Sequence, residues 1–176
     1  MSEQILAQKQ SKGTKIVIIT IVVLAVAVVI LAILNYSNLA ERLALQESGT
    51  FLLTVEGYTH TVSPDDLNAI GGVDVSASSR GEQRNFTGVP LAGVFTHFDI
   101  DYSGASSVAF RSIDGFTTAV SIAEALDYTN VFVVFREDGE PLGTMNDGGI
   151  GPYMVVVVRD SFPNRWARYL MEVIVR

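Results

Sequence analysis

The chain's 176 residues carry 12 basic and 19 acidic side chains, a formal net charge of −7, and no cysteine. The lack of thiols excludes disulfides, thiolate zinc or iron–sulfur sites and a cysteine nucleophile. The acidic balance argues against a basic nucleic-acid-binding face, so no nucleic acid is expected as a partner.

Residues 1–15 are polar and read as a short cytoplasmic tail. Ile16 to Leu34, IVIITIVVLAVAVVILAIL, has Thr20 as its one polar member and no charge. At about 1.5 Å of helical rise per residue it would reach about 28 Å, the thickness of a bilayer's hydrocarbon core. The expectation is a single-pass transmembrane helix over 16–34. Lys9, Lys12 and Lys15 precede it against only Glu3, which places the N-terminus in the cytoplasm and the rest of the chain outside the cell membrane. The following NYSNLAERLALQES offers no small-x-small cleavage site, so a retained signal-anchor is expected rather than a cleaved signal peptide. Residues 35–49 read as a juxtamembrane stalk and residues 50–176 as one extracytoplasmic domain. After the span stand nine arginines and no lysine against eighteen acids, a balance of −9.

Within the domain, Phe51–Glu56 and Tyr58–Val62 read as paired strands about Gly57. Ser63-Pro64-Asp65-Asp66 is a helix start: a capping serine, proline at the first helical position, then acids at the positive end of the dipole. Val73, Val75 and Ala77 alternate with polar residues as a half-buried strand does. Arg80–Asn85 is expected to be a polar loop and Pro90–Phe98 a short helix. Ser107–Ile113 and Phe116–Val120 read as strands about the hairpin signal Asp114-Gly115. Ser121–Leu126 is expected to be a brief helix and Val131–Phe135 a buried strand. Tyr153–Val158 reads as another buried strand, Asn164–Met171 as a helix and Glu172–Val175 as the closing strand. Strands interspersed with short helices make an α+β domain.

Gly143–Gly151, GTMNDGGIG, is expected to be a long unstructured connection. Its glycines permit close backbone approach and a concave nest of amides for an anion. It lacks the Gly-Lys-Ser/Thr and Gly-x-Gly-x-x-Gly patterns of nucleotide loops. Arg80 and Arg84 are the closest arginine pair in a presumed loop, and the guanidinium fork suits carboxylate and phosphate. His60 and His97 stand apart from any ligand pattern, Asp65 and Asp66 are explained by capping, and Asp99 and Asp101 by a loop.

In order along the domain stand Asn85-Phe-Thr-Gly-Val-Pro-Leu91, Phe110-Arg-Ser-Ile-Asp-Gly-Phe116, Asp138-Gly-Glu-Pro-Leu142, Gly151-Pro-Tyr-Met-Val-Val-Val157 and Arg165-Trp-Ala-Arg-Tyr-Leu170. This succession resembles the oxidoreductase molybdopterin-binding domain, the sulfite oxidase fold. The resemblance implies one mixed α/β domain of that fold behind the transmembrane helix, with a pterin cofactor binding place. The family's metal-ligating cysteine falls where Ser76–Ser79 stand here, and Met154 occupies the place of an arginine directed at the cofactor. Molybdenum is therefore not expected, and whether the domain catalyses anything is left open. The implied site is a pocket between Ser76–Arg84 and Gly148–Pro152: Ser76, Ser78, Ser79, Arg80, Arg84, Gly148, Gly149, Gly151 and Pro152, with Arg111 and Asp114 near its edge. Valine at Gly149 or Gly151 is expected to abolish binding and leave the domain folded. Three readings follow: a binding domain for a pterin-like or other small anionic ligand; a molybdopterin-dependent redox enzyme or accessory subunit; and a structural domain that engages a membrane redox or envelope protein partner.

Overall fold

The computed structural model describes residues 17–32 and 43–176, which fall into two units, Met1–Glu41 and Arg42–Arg176. In the first, residues 17–32 form one helix, α1, with its apolar side chains exposed. The expected span is helical over these sixteen residues; its ends, the tail and most of the stalk lie outside the described residues. Among the described residues no helix is long and apolar enough to cross a membrane.

The second unit begins earlier than the expected Thr50. Residues 43–47 form a short helix, α2. Its Gln46 is buried, with the Nε2 group donating to the Gly151 carbonyl at 2.9 Å. The Tyr153 hydroxyl donates to the Gly49 carbonyl at 2.7 Å. A buried amide must find a partner, and Gln46 finds one 105 residues away. The end of the presumed stalk is thus part of the domain.

From there β1 (Phe51–Val55) and β2 (Tyr58–Val62) lead to helix α3 (Pro64–Ile70). Next come β3 (Val73–Ser79), β4 (Glu82–Pro90) and helix α4 (Leu91–His97). They are followed by β5 (Ser107–Ser112), β6 (Thr117–Ser121), helix α5 (Ile122–Ala125) and β7 (Val131–Glu137). The short β8 (Glu140–Pro141), β9 (Met154–Val157) and β10 (Leu170–Val175) complete the chain. One sheet has the order β2-β1-β10-β5-β6, with β1 and β10 parallel. The other runs β3-β4-β7-β8, with β9 also on β7.

Serine opens two of the helices as a reciprocal cap. Ser63 accepts from the Asp66 amide while Asp66 takes the Ser63 amide, and Ser121 and Glu124 repeat the arrangement. Between the sheets Phe51, Leu53, Phe86, Phe95, Phe110, Met154 and Leu170 are fully buried. Burying each large apolar side chain contributes about 1.5–3 kcal/mol, so a domain without disulfides can rest on this core.

Two expected elements are absent. Arg80–Asn85 is not a loop: only Arg80 and Gly81 turn, and β4 pairs with β3 from Glu82 onward. Both turn residues have positive φ, +57° and +88°, as the tightest hairpins require. Asn164–Met171 is not a helix but a 3₁₀ turn at Pro163–Arg165 followed by extended chain. Ala167 exchanges both backbone hydrogen bonds with Val155, and the Trp166 indole donates to the Val157 carbonyl at 3.2 Å. Those pairings take the backbone groups a helix would use. Trp166 to Leu170 thereby crosses from β9 to β10, joining one sheet to the other.

Candidate functional site

Strand alternation divides the β3–β4 hairpin between two faces. Ser76 and Ser78 stand opposite Asn85 and Gln83 on the exposed face, while Ala77 stands opposite Arg84 on the other. Ser76 donates to Asn85 at 2.8 Å and lines an acidic recess with Asp74, Thr87 and Asp138. Nothing basic lines it. Ser79 pairs with Glu82 beside the turn.

The glycine loop is neither unstructured nor an open nest. The Gly149 amide donates to the Thr144 carbonyl, Ile150 to Leu142, and Gly151 to Gly143, all at 2.8–3.0 Å. The Asp147 carboxylate receives the Thr144 hydroxyl, at 2.6 Å, and the Thr144 amide. These bonds hold its carboxyl below the usual range. The amides of Thr144 and of Asp147 through Gly151 are therefore engaged within or beside the loop rather than turned out together to cradle an anion. Its glycines serve close packing: a Cβ on Gly149 would overlap the Leu142 carbonyl oxygen, and one on Gly151 would lie 2.6 Å from the Leu142 Cβ. These close approaches run against the expectation that valine there would spare the fold. Pro152 lines a recess with Thr144, Asp147 and Tyr153, apart from the one that holds Ser76. Neither of these two recesses joins Ser76–Arg84 to Gly148–Pro152 as the sequence led one to expect.

What the fold does assemble is a recess of about 400 Å³ at the sheet-to-sheet crossing, lined by Arg80, Asp114, Phe116, Pro163, Asn164, Trp166 and Arg168. Arg80 comes from the β3–β4 turn, Asp114 and Phe116 from the β5–β6 turn, and the rest from the segment between β9 and β10. Asp114 Oδ1 accepts the Phe116 amide at 2.9 Å, fixing that turn. Phe116 is exposed, whereas Trp166 is buried with its ring edge-on to Phe86, centroids 5.6 Å apart.

The arginines differ in what they face. Arg84 forks onto Glu137, with its Nη2–Oε2 bond at 2.6 Å, and lies 5.3 Å over Phe86 and 5.9 Å over Trp166. Arg165 joins Asp160 and Glu124, and Asp160 chiefly raises its already high pKa. Arg159 pairs with Asp127, and Arg111 with Glu172 at 2.9 Å on the other sheet. Arg136 donates to the Gly139 carbonyl. Arg80 and Arg168 make no ion pair or side-chain hydrogen bond among the described residues, and they share the one recess. Ser112 closes the Asp114 turn by backbone bonds to Phe116 and Gly115. Its hydroxyl is the one buried side-chain polar atom without a partner among the described residues.

Of the residues expected in the site, Arg80 and Asp114 therefore meet, with Arg84 stacked on the Trp166 wall. Ser76, Ser78, Arg111, Gly148, Gly149, Gly151 and Pro152 lie elsewhere. Arg168, Phe116, Asn164 and Trp166 went unassigned as site residues; an arginine two positions from the chain's only tryptophan was the available signal. The recess offers paired cations, one carboxylate and aromatic walls, which suits the anionic tail and amidine edge of a pterin. It does not suit a thiolate-bound metal. The chain has no cysteine to supply a thiolate.

A family model described as the oxidoreductase molybdopterin binding domain matches residues 36–176. Among solved structures, the sulfane dehydrogenase SoxCD from Paracoccus pantotrophus is similar at a TM-score of 0.59 and 13% sequence identity. The likeness covers 72% of this chain and 37% of that one, and at such identity it shows the fold alone. No curated protein matches the chain.

Proposed function

The chain belongs to the oxidoreductase molybdopterin-binding domain family, and from that premise we propose that it is a membrane-anchored extracytoplasmic binding domain. Its ligand is a pterin-like or other small anion, held without standard molybdenum chemistry. The observation that carries this reading is the pair of unmatched guanidinium groups, Arg80 and Arg168, facing one aromatic-walled recess. Both arginines are exposed and make no ion pair among the described residues, so an anion that accepts both forks would meet two available guanidinium groups. Asp114 gives selectivity: it repels a bare anion and pairs with a ligand that also presents an amidine-like N–H edge. Anchoring is supported by the uncharged run from Ile16 to Leu34 behind Lys9, Lys12 and Lys15.

The family also favours the reading of a pterin-bearing redox enzyme or accessory subunit, and one experiment separates the two. The full chain, extracted in detergent from a host that makes molybdenum cofactor, is assayed for molybdenum and for pterin released by oxidation. Pterin without stoichiometric metal, or uptake of 6-carboxypterin by the purified chain, supports the binding domain. Stoichiometric molybdenum overturns it in favour of the enzyme. Neither pterin nor any anion bound would leave the partner-binding reading.

A further inference from the structure

Resting on that reading of the recess, we propose that Tyr169 is the residue that positions Arg168 for the ligand, and does so by tying it to the glycine loop. Tyr169 holds a left-handed backbone at φ +53°, a conformation uncommon for a bulky aromatic residue. Such strain persists only where the surroundings impose it. Three hydrogen bonds do so. The Tyr169 amide donates to the Ile150 carbonyl at 3.0 Å, its carbonyl accepts the Ile113 amide at 3.1 Å, and its phenol donates to the Gly149 carbonyl at 2.9 Å. One residue thus binds the loop on one side and, through Ile113, the Asp114 turn on the other. Arg168 and Asp114 flank the two ends of this knot, and both line the recess.

The left-handed turn at Tyr169 lets the chain leave its pairing beside β9 and begin β10 at once, leaving Arg168 outside both sheets with its side chain over the recess. The loop that receives the phenol is itself held by Gln46 at Gly151. The position of Arg168 therefore rests on packed, mutually bonded segments rather than on a free surface loop.

The test is a double-mutant cycle between Tyr169→Phe and Arg168→Ala in the full chain, read by quenching of the lone tryptophan with 6-carboxypterin. Tyr169→Phe keeps both backbone bonds and the ring, and is expected to weaken binding about three- to tenfold, the worth of one hydrogen bond. In the Arg168→Ala background the same change is expected to have no further effect, since Tyr169 acts through Arg168. Equal losses in both backgrounds would overturn the proposal by making Tyr169 a general structural support. Tyr169→Asn tolerates the left-handed backbone and repeats the test if the first variant folds poorly. A ligand-free readout stands beside it: the Arg168 Nε–Hε resonance is expected to shift and sharpen in Tyr169→Phe, and an unmoved signal overturns the proposal. Failure of the wild-type chain to bind 6-carboxypterin would instead count against the recess itself, leaving the resonance to decide the role of Tyr169.

Discussion

The glycine loop and the Arg80–Arg168 recess reverse the roles their compositions suggest. The loop is rich in the residue that most readily opens a backbone to ligands, yet its amides close upon its own carbonyls. The recess is assembled from three separated segments with little in common, yet it holds two arginines that make no ion pair among the described residues. Glycine content measures how closely backbone must pack, whereas binding capacity sits where polar groups are left unmatched.

The largest effect that tests this contrast is Gly149→Val. Its Cβ would meet the carbonyl of Leu142 and the backbone of Gly143, neither of which can swing away as a side-chain end would. A loss of about 3 kcal/mol or more is expected from such overpacking, measured by urea unfolding. Gly148 has open space but φ +74°, so Gly148→Ala should cost only about 1 kcal/mol. If Gly149→Val unfolds like the wild type and loses ligand instead, the loop is a binding element after all. Next come the free arginines. Arg80→Ala and Arg168→Ala should each weaken 6-carboxypterin binding about tenfold, roughly 1.4 kcal/mol, while stability stays within about 0.5 kcal/mol. Arg84→Ala should behave the other way. It loses the Glu137 fork and the stack on Trp166, costing about 1 kcal/mol of stability.

The capping boxes set the pH dependence. Hydrogen bonds from Ser63 hold the Asp66 carboxyl below its ordinary value, and the Ser121 amide does the same for Glu124. A group with a depressed folded pKa contributes stability that is fully present above its unfolded value, near 4. That contribution is lost as pH falls through the lower folded value. Acid unfolding should therefore steepen below about pH 4. Ser63→Ala should flatten that limb and cost about 1 kcal/mol at neutral pH. An unchanged acid limb would show that the cap is not formed in solution.

How much was legible follows the range of the interactions involved. Ser63, Ser121 and Asp114-Gly115 act on residues within a few positions, and the helices and hairpin they announce are present. The apolar run from Val131 likewise became the strand at the centre of its sheet. Arg80–Asn85 misled because its strand character comes from pairing across a two-residue turn rather than from its own apolar content. The Trp166 segment misled for a similar reason: helix-compatible residues were captured by Val155 and Val157, nine to twelve positions earlier. The family resemblance supplied the fold, but its pocket placement rested on a cysteine position that serines fill here. Arg168 meets Arg80 only after both sheets close, and no local pattern encodes that meeting.

The smallest expected effect is the most discriminating, because its sign depends on the ligand. Asp114→Asn keeps the acceptor that caps the Phe116 amide, so the turn should stand. It removes the negative charge from a recess that otherwise offers two cations. A simple anion such as phenyl phosphate should then bind a few-fold more tightly, since a like charge is gone. 6-Carboxypterin should bind a few-fold more weakly, because its amino-pyrimidinone edge loses a carboxylate able to accept two N–H bonds. Opposite shifts in the two titrations would identify Asp114 as the group that distinguishes a pterin from any other anion. A gain for both would mean that Arg80 and Arg168 recognise charge alone, and that the natural ligand need not be a pterin.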